Sequence, residues 1–118
     1  MDDVTVKDKS YAFALRIIKL YRYLQDNKKE NIISKQLLRC GTSIGANLSE
    51  AKYAQSRADF ISKNSIALKE ASETYYWLNL LYDSGYLSNN QFSSVKSDIE
   101  EILKMLTSIV NTSKQNGI

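Results

Sequence analysis

Two carboxylates, Glu70 and Glu73, stand three residues apart, a spacing that places both on one face of a helix. Paired carboxylates act as general acid and base, or hold iron when they belong to Glu-x-x-His motifs. The chain has no histidine and one cysteine, so it supplies neither the commonest general base nor zinc ligands of the Cys and His type. Ser43 has no histidine to activate it. We therefore predict no enzymatic activity and no metal or cofactor, and we expect Glu70 and Glu73 to pair with arginine or lysine across an interface.

The segment RCGTSIGANLSEA, residues 39–51, combines two glycines, Gly41 and Gly45, with several hydroxyl and amide side chains. A phosphate-binding loop needs a strand before its glycines and a helix that begins after them, and the sequence has neither pattern here. Apolar residues instead pass through the segment at helical spacing: Ile33, Leu37, Cys40, Ile44, Leu48 and Ala51. Inside a helix each glycine costs about 1 kcal/mol relative to alanine. We predict that the glycines allow a neighbouring helix to approach closely.

A line of polar side chains runs beside this apolar seam: Arg39, Ser43, Asn47, Glu50 and Arg57. Such a line is more often a solvated face, or a set of hydrogen bonds between helices, than a binding site. Both interpretations stay open, and the less frequent one makes Arg39 and Arg57 candidates for contact with a ligand.

No proline interrupts the chain, and apolar residues recur at helical rather than strand spacing along most of its 118 residues. The pattern predicts one all-α domain with four helices, at about residues 7–27, 33–55, 57–83 and 89–113. The last helix has the most regular seam: Phe92, Val95, Ile99, Ile102, Leu106 and Ile109. Ser88 and Gln91 match a capping box at its start, and Gly85 is placed to end the preceding helix in the left-handed conformation.

The first and third helices carry more apolar surface than one core requires. Helix one has a first seam of Tyr11, Ala14, Leu15, Ile18 and Tyr21, and a second seam of Phe13, Ile17, Leu20 and Leu24. Helix three has an inner seam of Ile61, Leu68, Ala71, Tyr75, Leu78 and Tyr82, and an outer face of Ile66, Glu70, Glu73, Trp77 and Leu80. We predict that the second seam and the outer face contact another subunit in a stable homo-oligomer. The alternative is a first helix wedged between two neighbours of its own chain.

Charge and cysteine content limit the possible partners and cellular compartment of the protein. The 16 lysines and arginines exceed the 13 acidic residues by three and are spread along the chain, which permits contact with nucleic acid without requiring it. Cys40 is the only cysteine, so no intrachain disulfide is possible and a reducing compartment fits. The sequence has no signal peptide and no apolar run long enough to span a bilayer. We expect a cytoplasmic protein that does not contact a membrane.

Several residues give the chain a family resemblance. They are Arg39, Ser43, Ile44, Asn47 and Glu50 in the second helix, then Phe60, Ala67 and Glu73, and the Gly85-Tyr86-Leu87 turn. With these residues the chain resembles, over nearly its whole length, the bacterial family of 23S rRNA intervening-sequence proteins. Ala51 departs from the family pattern, in which many members have glycine.

The resemblance implies an antiparallel up-down-up-down four-helix bundle whose subunits form a ring, typically a pentamer. It implies no established activity and no small-molecule substrate. The family is associated with intervening sequences of ribosomal RNA genes, and a relative is an accessory nucleic-acid-binding subunit of retroelement systems, so RNA or DNA is the expected partner. The candidate contacts are basic side chains outside the seams: Lys9, Arg16, Lys19, Arg22, Arg39 and Arg57. The alternative is an oligomeric scaffold for protein partners with no nucleic-acid role.

Overall fold

The computed structural model describes residues 5–116, and within this range the chain forms four α-helices and no strand. The helices are α1 (Val6–Lys28), α2 (Ile33–Ala51), α3 (Arg57–Asp83) and α4 (Asn89–Asn116). α2 packs against α1 and α3, while α4 packs against α3 and, less extensively, against α1. The prediction of an all-α fold is confirmed. α2 ends four residues before the predicted position 55, because the chain turns there through a hydrogen bond from the Ala54 N–H to the Ala51 carbonyl at 3.1 Å.

Polar side chains cap the helices where the sequence predicts caps. The Gln91 N–H donates to the Ser88 hydroxyl oxygen at 3.1 Å, and the Ser88 N–H donates to the Gln91 side-chain oxygen at 2.8 Å. This reciprocal pair confirms the capping box at the start of α4. Gly85 adopts a φ of 89° just after α3, which confirms its left-handed conformation.

The start of α2 has a cap that the sequence analysis did not predict. The buried carboxylate of Glu30 accepts hydrogen bonds from the N–H groups of Ile32, Ile33 and Ser34 at 3.1, 3.0 and 2.7 Å. These donors are the backbone groups that a helix leaves unpaired at its first turn. Burial alone would raise the pKa of Glu30, but the three N–H donors and the Ser34 hydroxyl together hold that pKa below its ordinary value of 4.5.

Replacing Glu30 by alanine should lower the free energy of unfolding at neutral pH by about 1 to 2 kcal/mol, the usual cost of losing a helix cap. Because the folded pKa lies below the unfolded one, this stabilisation is complete above pH 4.5 and is lost as the pH falls through the folded pKa. Urea unfolding of the parent and the variant across that range measures the difference. A difference that stays constant on acidification would contradict the capping role of the charged carboxylate.

Apolar side chains from all four helices fill one core. Every member of the predicted α4 seam from Phe92 to Leu106 is buried, and Ile109 packs partly against the core, so this seam is confirmed. The Tyr82 ring stacks on the Phe92 ring with 4.2 Å between centroids, which joins the end of α3 to the start of α4. The largest fully buried side chains of the other three helices are Phe13, Ile17, Leu24, Leu37, Ile44, Leu78 and Leu81.

Four small polar side chains share this core, and each bonds to a carbonyl within its own helix or helix cap. The donors and their acceptors are Ser10 to Lys7, Ser34 to Glu30, Asn64 to Phe60 and Thr74 to Glu70. Within residues 5–116 no buried side-chain nitrogen or oxygen lacks a hydrogen-bond partner. The core therefore contains no uncompensated polar group in the part of the chain that the structure describes.

The two glycines of α2 face α1. A Cβ atom built on Gly41 would lie 3.0 Å from Cγ2 of Ile17, and one built on Gly45 would lie 3.2 Å from Oγ of Ser10. Both distances are tighter than ordinary van der Waals contact between carbon or oxygen atoms. The missing side chains thus allow α1 and α2 to approach closely, and the prediction of close packing is confirmed.

The prediction for the exposed side of α1 is wrong. The seam expected to contact a second subunit lies against the core of its own chain, and its members are Phe13, Ile17, Leu20 and Leu24. Leu20 is partly buried and the other three are fully buried. The first seam faces outward instead, with Tyr11 69% and Leu15 49% exposed. The two seams have similar apolar content, and the space that Gly41 leaves for Ile17 decides between them.

The buried face of α3 is rotated from the predicted inner seam toward small and polar residues. Its fully buried members are Asn64, Ala67, Ala71, Thr74, Leu78 and Leu81. Of the predicted seam, Ala71 and Leu78 are buried as expected, Ile61 is half-buried, and Leu68, Tyr75 and Tyr82 pack only partly against the core. On the predicted outer face, Ile66 and Leu80 are exposed, whereas Trp77 packs partly against the core. Small and polar residues thus make up most of the buried face of α3.

Candidate interaction surfaces

Glu70 and Glu73 lie beside α2, and both pair with Arg39. One guanidinium nitrogen of Arg39 lies 3.1 Å from a Glu70 carboxylate oxygen, and the other binds Glu73. The indole N–H of Trp77 donates to the same Glu73 oxygen at 3.0 Å. The expectation that these carboxylates pair with an arginine is thus confirmed. The interface that the ion pairs cross is the one between α2 and α3 of a single chain.

The remaining polar line of α2 also serves the fold. The Ser43 hydroxyl donates to the Arg39 carbonyl at 2.6 Å, and the Asn47 amide donates to the Ser43 carbonyl at 2.9 Å, so both bond within α2. Glu50 pairs with Lys63 at 2.9 Å and makes a second ionic link between α2 and α3. Ile44, the apolar member of the family motif, is fully buried. Within residues 5–116, no group of three or more His, Cys, Asp or Glu side chains is placed to hold a metal ion.

Cys40 lies in the core as a free thiol. Burial raises the pKa of the Cys40 thiol to about 11, because the charged thiolate is poorly solvated there. The thiol is therefore in its neutral form at neutral pH, which is the less nucleophilic form.

The structure divides the predicted basic contacts into paired and unpaired side chains. Lys9 pairs with Glu101, and Arg16 pairs with Asp98 and also donates to the Ser94 hydroxyl at 2.7 Å, so both tie α1 to α4. Arg39 is held by its two carboxylates, and Arg57 donates to the Ser113 carbonyl at 3.3 Å. The two members left are Lys19 and Arg22, which are exposed and form no ion pair with another residue of the described range.

An open apolar groove of about 550 Å³ runs between α1 and α2. The residues that line it are Lys7, Asp8, Tyr11, Ala14, Leu15, Ile18, Thr42, Gly45, Ala46 and Ser49. The residues on the α1 side of this groove belong to the first seam, which the sequence pattern wrongly places in the core. On α3, Ile66, Tyr76 and Leu80 are further exposed apolar side chains. Large exposed apolar side chains gathered in this way are typical of contact surfaces.

No helix within residues 5–116 is long and apolar enough to cross a membrane.

The fold and its surfaces define an all-α protein of the four-helix class. The chain belongs to the 23S rRNA-intervening sequence protein family, whose model matches residues 2–108. It is also similar to a crystal structure of a protein of unknown function from the S23 ribosomal protein family of Bacteroides thetaiotaomicron, with 57% identity and a TM-score of 0.88. That match covers 90% of this chain and 98% of the other. No curated protein matches the chain. The family resemblance predicted from the sequence is confirmed.

Proposed function

We propose that this protein is a non-enzymatic, cytoplasmic homo-oligomer that binds RNA or DNA as an accessory factor. Its subunits are antiparallel up-down-up-down bundles, and five of them form a ring. The observation that carries the nucleic-acid part is the pair of exposed cations Lys19 and Arg22, which have no ion-pair partner within residues 5–116. Membership of a family described by 23S rRNA intervening sequences supports the choice of partner.

Contacts between adjacent helices support the antiparallel arrangement. Gly41 faces Ile17 and Gly45 faces Ser10, so residue numbers rise along α2 as they fall along α1. The ionic links between α2 and α3 follow the same inverse order, as do those between α1 and α4.

Exposed apolar surface supports self-association. Tyr11 and Leu15 are large side chains on the open groove between α1 and α2, and a second copy that covered the groove would remove both from water. In a symmetric ring each exposed cation recurs in every subunit, so a few per chain make an extended basic surface. Binding of phosphates to such a surface releases counterions and therefore weakens steeply as salt rises.

Fluorescence anisotropy with labelled structured RNA and duplex DNA, at low and moderate salt, tests the nucleic-acid proposal. We expect binding at low salt that weakens with added salt and shows little sequence preference, since phosphates carry no sequence information. The double variant Lys19→Glu, Arg22→Glu should weaken binding by at least tenfold, because it replaces two attractive charges by repulsive ones.

The matched control is Lys104→Glu, Lys114→Glu, which changes the net charge equally at exposed positions on α4. This control should bind nearly as well as the parent. Absence of binding at low salt, or binding indifferent to both salt and charge reversal, would refute the proposal. The open groove between α1 and α2 would then favour the alternative function, an oligomeric scaffold for protein partners.

A further inference from the structure

The α1–α2 connection, defined as residues 27–36 and so including the adjoining ends of both helices, carries three exposed lysines, Lys28, Lys29 and Lys35, and none of them forms an ion pair within residues 5–116. Glu30 is the only acidic residue from position 27 to position 36. Its carboxylate is buried and bound to the N–H groups of Ile32, Ile33 and Ser34. The negative charge thus points into the start of α2, and the outer surface of the connection presents three positive charges.

The backbone of this connection is held in one conformation. Lys29 adopts a left-handed conformation with φ 56°, and its N–H bonds to the Leu24 carbonyl at the end of α1. The N–H of Glu30 bonds to the same carbonyl at 3.0 Å. Because the backbone is already ordered, a ligand that contacts the lysines meets a smaller entropic cost than it would on a flexible loop.

Ile32 projects from the middle of the connection with 76% of its surface exposed. The side chains of Asn31 and Gln36 beside it are also exposed and supply amide donors and acceptors. One isolated isoleucine among amides is far from the continuous apolar face with which a helix enters a lipid surface. Its apolar surface can pack against a sugar or a base edge, between phosphates that the lysines reach.

The basic surface continues into both walls of the apolar groove. Arg22 follows Leu15 by seven residues on α1, and Lys35 precedes Thr42 by seven residues on α2, so each pair lies on one side of its helix. Arg22 and the three lysines of the connection therefore lie toward the same end of the chain's first two helices.

We propose that the α1–α2 connection is the surface that binds nucleic acid, with Lys28, Lys29 and Lys35 on the phosphates and Ile32 against a sugar or base. This proposal rests on the proposed function and assigns to it a surface that lies mostly outside the predicted basic contacts. The lysines supply the salt-dependent part of the affinity and Ile32 a part that salt does not affect.

The test compares three forms of the full chain in anisotropy titrations with a structured RNA at several salt concentrations. The triple variant Lys28→Gln, Lys29→Gln, Lys35→Gln should bind at least tenfold more weakly at low salt. Its plot of log affinity against log salt should be shallower by about 0.7 to 0.9 for each lost phosphate contact. The control triple Lys52→Gln, Lys104→Gln, Lys114→Gln removes the same charge at exposed positions elsewhere and should keep both the parent affinity and slope.

The variant Ile32→Ser provides a second, independent test in the same titrations. It should weaken binding several-fold and leave the salt slope unchanged, because it removes no charge. Circular dichroism melts check that each variant is folded. If the triple variant unfolds, Lys35→Gln alone replaces it, and we then expect a smaller reduction in the salt slope.

Each outcome decides between the proposals. Equal affinity and slope for the test and control triples, in a parent that binds RNA, would overturn the assignment of this surface and leave the proposed function standing. A parent that shows no salt-dependent binding to either structured RNA or duplex DNA would overturn both. Parent binding to phosphatidylserine vesicles in preference to RNA would also overturn the assignment and make the surface a membrane contact.

Discussion

Replacing Gly41 by leucine should destabilise the fold by about 3 kcal/mol or more, at the upper end of overpacking effects in a close-packed core. Gly41 is buried, and even a Cβ atom there would lie 3.0 Å from Cγ2 and 3.1 Å from Cγ1 of Ile17. Ile17 is itself fully buried, so it has no free space into which to move. Urea unfolding, followed by circular dichroism and by the fluorescence of Trp77, measures the loss.

Gly45→Ala is the matched control. Its Cβ would meet the Ser10 hydroxyl oxygen at 3.2 Å and no other atom of α1 closer than 3.7 Å, and Gly45 borders the open groove. Alanine also favours the helix by about 1 kcal/mol relative to glycine. We expect this variant to unfold within about 1 kcal/mol of the parent. If Gly41→Leu were equally stable, close packing of α1 on α2 would not explain the glycines.

Leu15→Glu should reduce the mass of the assembled protein to that of one chain, 13.4 kDa, a change of about fivefold for a pentamer. Leu15 lines the groove and is 49% exposed in the isolated chain, so a charge there is solvated in the monomer but buried under a second copy. Light scattering at micromolar concentration gives the mass, and a melting curve tests whether each subunit stays folded.

Ser108→Glu introduces the same charge at an exposed position of α4 and should leave the mass unchanged. Phe13→Glu places the charge in the core and should unfold the chain rather than separate folded subunits. If the parent has the mass of one chain, the protein is not an oligomer. If the Leu15→Glu variant keeps the mass of an oligomeric parent, the contact between subunits does not lie at the groove.

Sequence patterns predicted most reliably what depends on residues near one another in the chain. The seam of α4 and the Ser88–Gln91 capping box follow from spacing alone and were both predicted correctly. The cap by Glu30 was missed because glutamate is not among the residues that usually cap a helix start.

Rotation of the helices about their own axes was harder to predict, because it depends on neighbouring helices. On α1 two seams of similar apolar content competed, and the contact between Gly41 and Ile17 distinguishes them only in three dimensions. On α3 the core accepts Asn64 and Thr74, which a count of apolar residues overlooks. The candidate surface was affected for the same reason, since the carboxylates that neutralise Lys9 and Arg16 come from α4 and no local pattern connects them.

The small polar side chains of the core have a consequence for how the helices are aligned. Since Ser10, Asn64 and Thr74 each bond to a carbonyl of their own helix, a helix that slid lengthwise by one turn would break none of these bonds. The lengthwise alignment of the helices therefore depends on complementary packing, such as that of Ile17 against Gly41, and on ion pairs such as Arg39 with Glu73. Substitutions at these contacts would allow more than one helix alignment before they removed the helices or the apolar core.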